Sequence, residues 1–261
     1  MATDELLYHV DADGIGRVVF NRPEARNAFT FAMYERLEAV CASVPTDGSV
    51  KALVLTGAGD KAFGAGTDMS QFRAFGTAED AWDYEHRMDA VLNTVEACPV
   101  PTIAAINGAC TGGGAGIAAA CDLRLATRTL KFGFPIARTL GNCLSIANLS
   151  RLADLMGPAR VREVIFTARL VEAEEAHRIG LVSELVADLD ALHARADELA
   201  HQLAGHAPLT LRATKEGLRR LRAAAAQVDD KDLVAMCYLS RDFKEGLEAF
   251  LAKRKPDWRG E

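Results

Sequence analysis

The 261-residue sequence has no apolar run approaching the roughly 18 residues that a membrane-spanning helix needs. Its opening stretch, MATDELLYHV, lacks the basic-then-apolar pattern of a secretory leader. Basic charge is in deficit: 30 Lys and Arg face 36 Asp and Glu, for a formal net charge of -6. Broad nucleic-acid binding wants a basic face, so this balance argues against it. The six cysteines, at 41, 98, 110, 121, 143 and 237, form no CxxC pair and no zinc-type spacing. In a chain of this size, scattered cysteines read as reduced and mostly buried, which predicts a cytoplasmic location and no metal site. Each serves first as a small core hydrophobe.

Nucleotide-binding patterns are missing too. The densest glycine cluster, in NGACTGGGAGIAAACDLRLA, places Gly at 112, 113, 114 and 116. That is not G-x-G-x-x-G, and no Lys-Ser or Lys-Thr follows to make a phosphate loop. An acidic residue about 20 positions on, in the strand context a ribose site requires, is absent as well.

What is present is an ordinary globular composition, 49% hydrophobic and 25% charged. The length suits one domain, or one domain with an appendage. LYHVDADGIGRVVFN reads as two short strands around an Asp13-Gly14 turn. FTFAMYERLEAVCASV reads as a helix with Thr30 as its N-cap. VKALVLTG, TIAAI and CDLRLAT read as buried strands, and a helix within 77–97 starts at Thr77 with Glu79 and Asp80 in its first turn. From about residue 141 helices dominate. They are CLSIANLSRLADLM, PARVREVIFTA, EAEEAHRIG, DLDALHARADELAHQLAGH, PLTLRATKEGLRRLRAAAAQ and SRDFKEGLEAFLAKR, with LVSELVA as a short strand among them. Strands alternating with helices, then helices, predict an α/β core with a helical C-terminal part.

Two glycine-bearing loops follow buried strands: TGAGDKAFGAGTDM after KALVL, and the GGGAG loop after PTIAAI. Each leaves backbone N–H groups free where the chain turns out of a strand, and the second opens a helix whose N-terminus favours negative charge. Two such groups converging on one point make an oxyanion hole. Close packing alone would also account for either loop taken singly.

These loops carry a resemblance to the crotonase, or enoyl-CoA hydratase/isomerase, superfamily. NRPEARNAF resembles the family's N-R-P-x-x-x-N-A segment, AFGAGTDM its A-F-x-A-G-x-D loop, and PTIAAINGACTGGGAGIAAACDLRLA its P-x-I-A-A-x-N-G-x-x-x-G-G-G segment. RIGLVSELV and FKEGLEAFLAKRKPDW match in kind and order, so the likeness spans nearly the whole chain. It implies a ββα spiral core over residues 1–195 that binds acyl-CoA. It also implies a helical oligomerisation region over 196–261 that builds a trimer or a dimer of trimers. The substrate would be a coenzyme A thioester, with no separate or covalently bound cofactor. Carried over by position, the Thr67 and Gly113 amides hold the thioester carbonyl, a contribution of roughly 3–4 kcal/mol per donor in comparable sites. Glu24, Ala25, Arg26 and Ala65 would lie along the coenzyme, which Phe250 and Lys253 would reach within the chain or across a subunit boundary. Asp68 and Asp122 read as structural acceptors.

The resemblance also marks a departure. Hydratases of the family place and activate water with two glutamates, and at those positions this chain has Gly116 and Ile136. Neither transfers a proton. An acid or base must then come from elsewhere. Asp83, Glu85 and His86 follow the first loop, and Arg138, Asn142 and Cys143 follow Ile136. His86 has the intrinsic pKa best suited to proton transfer, and Arg138 suits a carboxylate or a leaving group. The plainer readings are an exposed helix histidine and a structural ion pair. Enoyl-CoA hydration or isomerisation, acyl-CoA decarboxylation, thioester hydrolysis, an anion or water beside Gly116 as base, and acyl-CoA binding without turnover all remain open.

Overall fold

The computed structural model describes residues 4–225 and 229–260. Its strands are β1 (Leu6–Val10), β2 (Ile15–Phe20), β3 (Ala52–Gly57), β4 (Ala62–Gly64), β5 (Thr102–Ile106), β6 (Ala109–Thr111), β7 (Leu123–Thr127), β8 (Lys131–Gly133), β9 (Val171–Glu172) and β10 (Glu184–Val186). The helices are α1 (Phe31–Ser43), α2 (Ala78–Ala97), α3 (Gly113–Ala120), α4 (Ile136–Thr139), α5 (Ile146–Met156), α6 (Pro158–Phe166), α7 (Ala173–Arg178), α8 (Leu189–Ala204), α9 (Pro208–Ala225), α10 (Lys231–Tyr238) and α11 (Arg241–Leu251).

The strands form two sheets, ordered β1-β2-β3-β5-β7-β10 and β4-β6-β8-β9. Pairing is parallel except at β1–β2 and β8–β9. Chain order explains the spiral. Each of β3, β5 and β7 feeds the large sheet and is followed by β4, β6 or β8 in the small one, then by a helix.

The large sheet is covered on both faces, which is why its central strands read as unbroken apolar runs. Successive side chains point to opposite faces. Leu53, Leu55, Ala104 and Ile106 join the main core with α1, α2 and α3. Ala52, Val54, Ile103 and Ala105 instead meet Leu192, Ala196 and Ala200 of α8. Residues 196–204 therefore pack with the sheet, and the expected division after residue 195 falls inside α8.

The helix starts follow local capping chemistry. Thr30 accepts from the Met33 amide, and Thr77 and Asp80 cap α2 reciprocally, at 3.2 Å to Thr77 Oγ1 and 2.8 Å to Asp80 Oδ2. Residues 226 and 227, at the end of the helix expected from 208, lie outside the described residues. Among the described residues no helix is long and apolar enough to cross a membrane.

Candidate functional site

The two glycine loops meet. The structure adds a short strand to each, β4 and β6, between the apolar run and the turn, and so brings both turns out at the same end of the small sheet. The three consecutive glycines are needed for three different reasons. Gly112 has φ 52°, where side chains are rarely accommodated. A methyl on Gly114 would stand 2.3 Å from the Gly64 carbonyl oxygen, and one on Gly113 would stand 1.8 Å from the Tyr34 hydroxyl.

Thr67 and Gly113 both line a cavity of about 200 Å³. The bonds around Thr67 go to its neighbours: Phe29 N–H donates to the Gly66 carbonyl and Asp68 N–H to the Phe29 carbonyl, both at 2.8 Å. Gly113 opens α3, so its amide has no partner one turn back. Among the described residues neither the Thr67 nor the Gly113 amide meets an acceptor. Two free donors on the wall of one cavity are chemically suited to negative charge on an oxygen.

Side chains fix this wall. Thr67 Oγ1 sits 2.9 Å from the Tyr34 hydroxyl and 2.9 Å from the Tyr84 hydroxyl. Burial raises both phenols above their ordinary range, so they remain neutral donors. Asp68 is a loop anchor. It accepts from Ser70 and, at 3.2 Å, from both terminal nitrogens of Arg22. Burial alone would raise its carboxyl, and these bonds outweigh that and hold it below the usual range. Asp122, away from the cavity, accepts from the Thr102 amide at 2.7 Å and from Lys215 at 2.6 Å.

Gly116 and Ile136 also line the cavity. Ile136 is buried, and the space beside Gly116 is held by Leu92, whose Cδ1 would lie 3.3 Å from an added methyl. The two positions at which the resemblance leads one to expect carboxylates are therefore both apolar wall.

Among the described residues the cavity has one carboxyl side chain, that of Glu85 on α2. It is 7% exposed. The Tyr238 hydroxyl donates to Glu85 Oε1 at 2.5 Å, and Asn142 Nδ2 donates to the Tyr238 oxygen at 3.2 Å. The remaining Asn142 oxygen is buried without a partner. Burial pushes the Glu85 carboxyl up to about 8. The Tyr238 bond opposes that rise, and the charges of Asp89 and Asp230 add to it. Glu85 is thus a buried acid able to exchange a proton near neutral pH.

The structure does not bring the two leading acid/base candidates to this place. His86 is exposed on α2 and Arg138 is exposed on α4, and neither lines the cavity. The reason for His86 is helical phase: Ala81, Glu85, Met88, Leu92 and Val95 form the buried stripe of α2, and residue 86 is turned about 100° off it. Arg138 points outward from a four-residue helix of which only Ile136 is buried.

The residues expected along the coenzyme are divided. The Ala65 amide donates to the Arg26 carbonyl at 3.1 Å, which joins those two segments, and Ala65 lines the main cavity. Glu24 and Arg26 border a neighbouring hollow with Asn27 and Lys61, while Ala25 is half-buried. Phe250 lines the main cavity of its own chain although it is half exposed. Lys253 lies exposed beyond the end of α11 and does not line it.

Known proteins similar to this chain in sequence or fold are numerous. The family model described as enoyl-CoA hydratase/isomerase matches residues 11–261. The short-chain-enoyl-CoA hydratase of Clostridium acetobutylicum is 33% identical over 241 residues, covering 91% of each protein. The crotonyl-CoA hydratase of Syntrophomonas wolfei is 34% identical over 242 residues, covering 91% of this chain and 92% of that one. Among solved structures, an enoyl-CoA hydratase/carnithine racemase from Magnetospirillum magneticum superposes with a TM-score of 0.78 at 35% identity. It covers 100% of this chain and 97% of its own. One from Xanthobacter autotrophicus, described as an enoyl-CoA hydratase/isomerase, gives 0.84 at 29% identity, over 96% and 97%. The spiral of paired strands, the two loops that turn out beside one cavity and these similarities together make the chain a member of the enoyl-CoA hydratase/isomerase family, the crotonase superfamily.

Proposed function

We propose that this protein is an enzyme that transforms an acyl-CoA thioester through an enolate whose oxygen is held by the Thr67 and Gly113 amides. The observation that carries the reading is the pair of unpartnered N–H groups on one cavity wall. Fixed donors act most strongly where water is excluded, and apolar residues such as Met69, Phe72, Met88 and Leu144 line the same cavity. The acyl chain lies among these side chains. No Lys, Arg or His is found among the described lining residues. An uncharged acyl chain is therefore favoured over one ending in a carboxylate, which weighs against decarboxylation. The coenzyme runs outward past Ala65 and the Glu24–Arg26 segment, with Phe250 and Lys253 of the C-terminal helix beside it.

Hydration by paired carboxylates is not the reading favoured here, because residues 116 and 136 supply none. The protein assembles with copies of itself. In support, Leu209, Leu218 and Leu221 of α9 and Met236 of α10 are 64–75% exposed, an apolar surface that a second copy would cover.

Incubation with crotonyl-, 3-butenoyl- and malonyl-CoA, with products separated by chromatography against authentic isomers and then identified by mass, tests the function. Rearranged products that keep the thioester support it. Free CoA alone points to hydrolysis, loss of CO2 to decarboxylation, and binding without turnover to a non-catalytic acyl-CoA protein. Sedimentation tests the assembly, with a trimer or hexamer expected.

A further inference from the structure

We infer that Glu85, brought in from α2, is the catalytic group that moves the proton at the carbon beside the thioester carbonyl, with Tyr238 and Asn142 as the side chains that position it. The inference rests on the reading above, in which the carbonyl sits at Thr67 and Gly113. Geometry carries it. Glu85 is the carboxyl side chain on the described wall of this cavity, and the wall also holds both free amides. It belongs to the buried stripe of its helix, where a carboxyl costs stability unless it has a role or a partner. Its partner comes from far along the chain: Tyr238 of α10 grips Oε1, and Asn142, from the loop after α4, grips Tyr238. Oε1 is thus fixed by Tyr238, a backbone hydrogen bond from Ser145 also favours the ionised carboxyl, and among the described residues the second oxygen has no side-chain partner. The partnerless Asn142 oxygen on the same wall is a further buried acceptor to which a substrate or a water can donate.

The step balances without any added reagent. The Glu85 carboxylate takes a proton from the carbon, and the C–H electron pair passes into the carbonyl, leaving an enolate oxygen on the two amides. Glu85, now the acid, returns the proton to that carbon or to the far end of a conjugated acyl chain, and the carbonyl re-forms. The carboxyl titrates near neutrality, so both of its forms are accessible under ordinary conditions. The groups that face it are Tyr238 and Asp230 from the α10 side, Asp89 on its own helix, and Tyr34, Tyr84 and Cys143 around it.

The test follows exchange of the α-protons of butyryl-CoA with D2O by mass, beside calorimetric binding of the same thioester. Glu85→Gln, close in shape and still able to accept from Tyr238, is expected to bind butyryl-CoA as wild type does. It is expected to lose exchange by about 100-fold or more. His86→Ala is expected to exchange like wild type. Tyr238→Phe removes the bond that holds the Glu85 pKa down, so its exchange-against-pH profile is expected to shift to higher pH, which a purely structural role would not cause. Exchange retained in Glu85→Gln while Gly113→Ala loses it would overturn the inference and leave the proposed function standing. Wild-type protein that binds butyryl-CoA, exchanges nothing and turns over none of the three thioesters would overturn both.

Discussion

The Tyr238 hydroxyl donates a 2.5 Å hydrogen bond to Glu85 Oε1, tying α10 to α2 at the wall of the cavity, although 153 residues separate the two in sequence. The bond sets the terms on which a carboxyl is tolerated inside an apolar stripe, and it has a consequence for stability. Glu85 titrates at about 8 in the folded protein, against 4.5 ordinarily. The folded state therefore binds this proton more tightly than the unfolded chain does. Its contribution is complete below about 4.5 and is lost as pH rises through about 8. Carboxylates held low, such as Asp68 and Glu175, are ionised in both states across that upper range and do not contribute to the slope there. Urea unfolding of wild type and Glu85→Gln from about pH 5 to about pH 9 is expected to show wild type losing stability relative to the variant, by a few kcal/mol at the alkaline end. Parallel curves would contradict the burial of an ionisable Glu85.

A methyl group at residue 113 tests the wall itself. It would fall 1.8 Å from the Tyr34 oxygen and 3.0 Å from Tyr34 Cζ. Gly113→Ala is expected to displace the start of α3 and lower kcat/KM by about 100-fold, the order seen when one oxyanion donor is lost. Adding Tyr34→Phe removes the nearer contact and is expected to restore part of the activity. Wild-type kinetics in Gly113→Ala would contradict the view that close contact with Tyr34 sets the position of this amide.

The apolar residues at 116 and 136 make a prediction about what the protein does not do. Crotonyl-CoA hydration is expected to be slow in wild type and to rise only when Gly116→Glu and Ile136→Glu are combined. Leu92 must yield by a few tenths of an ångström to admit the first, since its Cδ1 would lie 3.3 Å from the new Cβ. Leu92→Ala in the same background is expected to help. Rapid hydration by the unmodified protein would contradict this account of the site.

Among the described residues Arg151 is the largest fully buried side chain, 2% exposed, and it locks α5 onto α2. It donates to Glu96 Oε1 at 2.8 Å and to Asn93 Oδ1 at 2.6 Å, with Asn148 Oδ1 at 3.3 Å. Arg151→Met leaves the buried Asn148 oxygen and half-buried Glu96 without this partner, although Glu96 keeps Arg222 and Asn93 is exposed to water. A loss of about 3 kcal/mol is expected by urea unfolding, as for other broken buried pairs. Arg151→Lys is expected to recover little, since an ammonium cannot reproduce the fork. A loss below about 1 kcal/mol would mean the pair is not what holds the helices together.

The parts of the fold legible in the sequence were those with long periodic signals. The central strands of the large sheet run five or six residues and are apolar on both faces, and α1, α2 and α8 have clear caps and stripes. The small sheet was not legible, because β4, β6, β8 and β9 span only two or three residues, too few for a period to appear. Helix α10 is eight residues behind an acidic pair, too short for a period to stand out in the sequence, and Tyr238 is hidden with it. The glycine loops were readable, since only close approach and a left-handed turn explain three glycines in a row. The choice among Asp83, Glu85 and His86 was open to helical phase: apolar residues at 81, 88, 92 and 95 put 85 on their stripe and leave 86 outside it. Intrinsic pKa favours a histidine, whereas burial gives the glutamate a titration range of its own.

If a thioester carbonyl rests on the Thr67 and Gly113 amides, a crystal structure with butyryl-CoA bound will show it. The carbonyl oxygen is expected within about 3 Å of both backbone nitrogens, with the α-carbon facing Glu85. A thioester bound with its carbonyl away from either amide would contradict it.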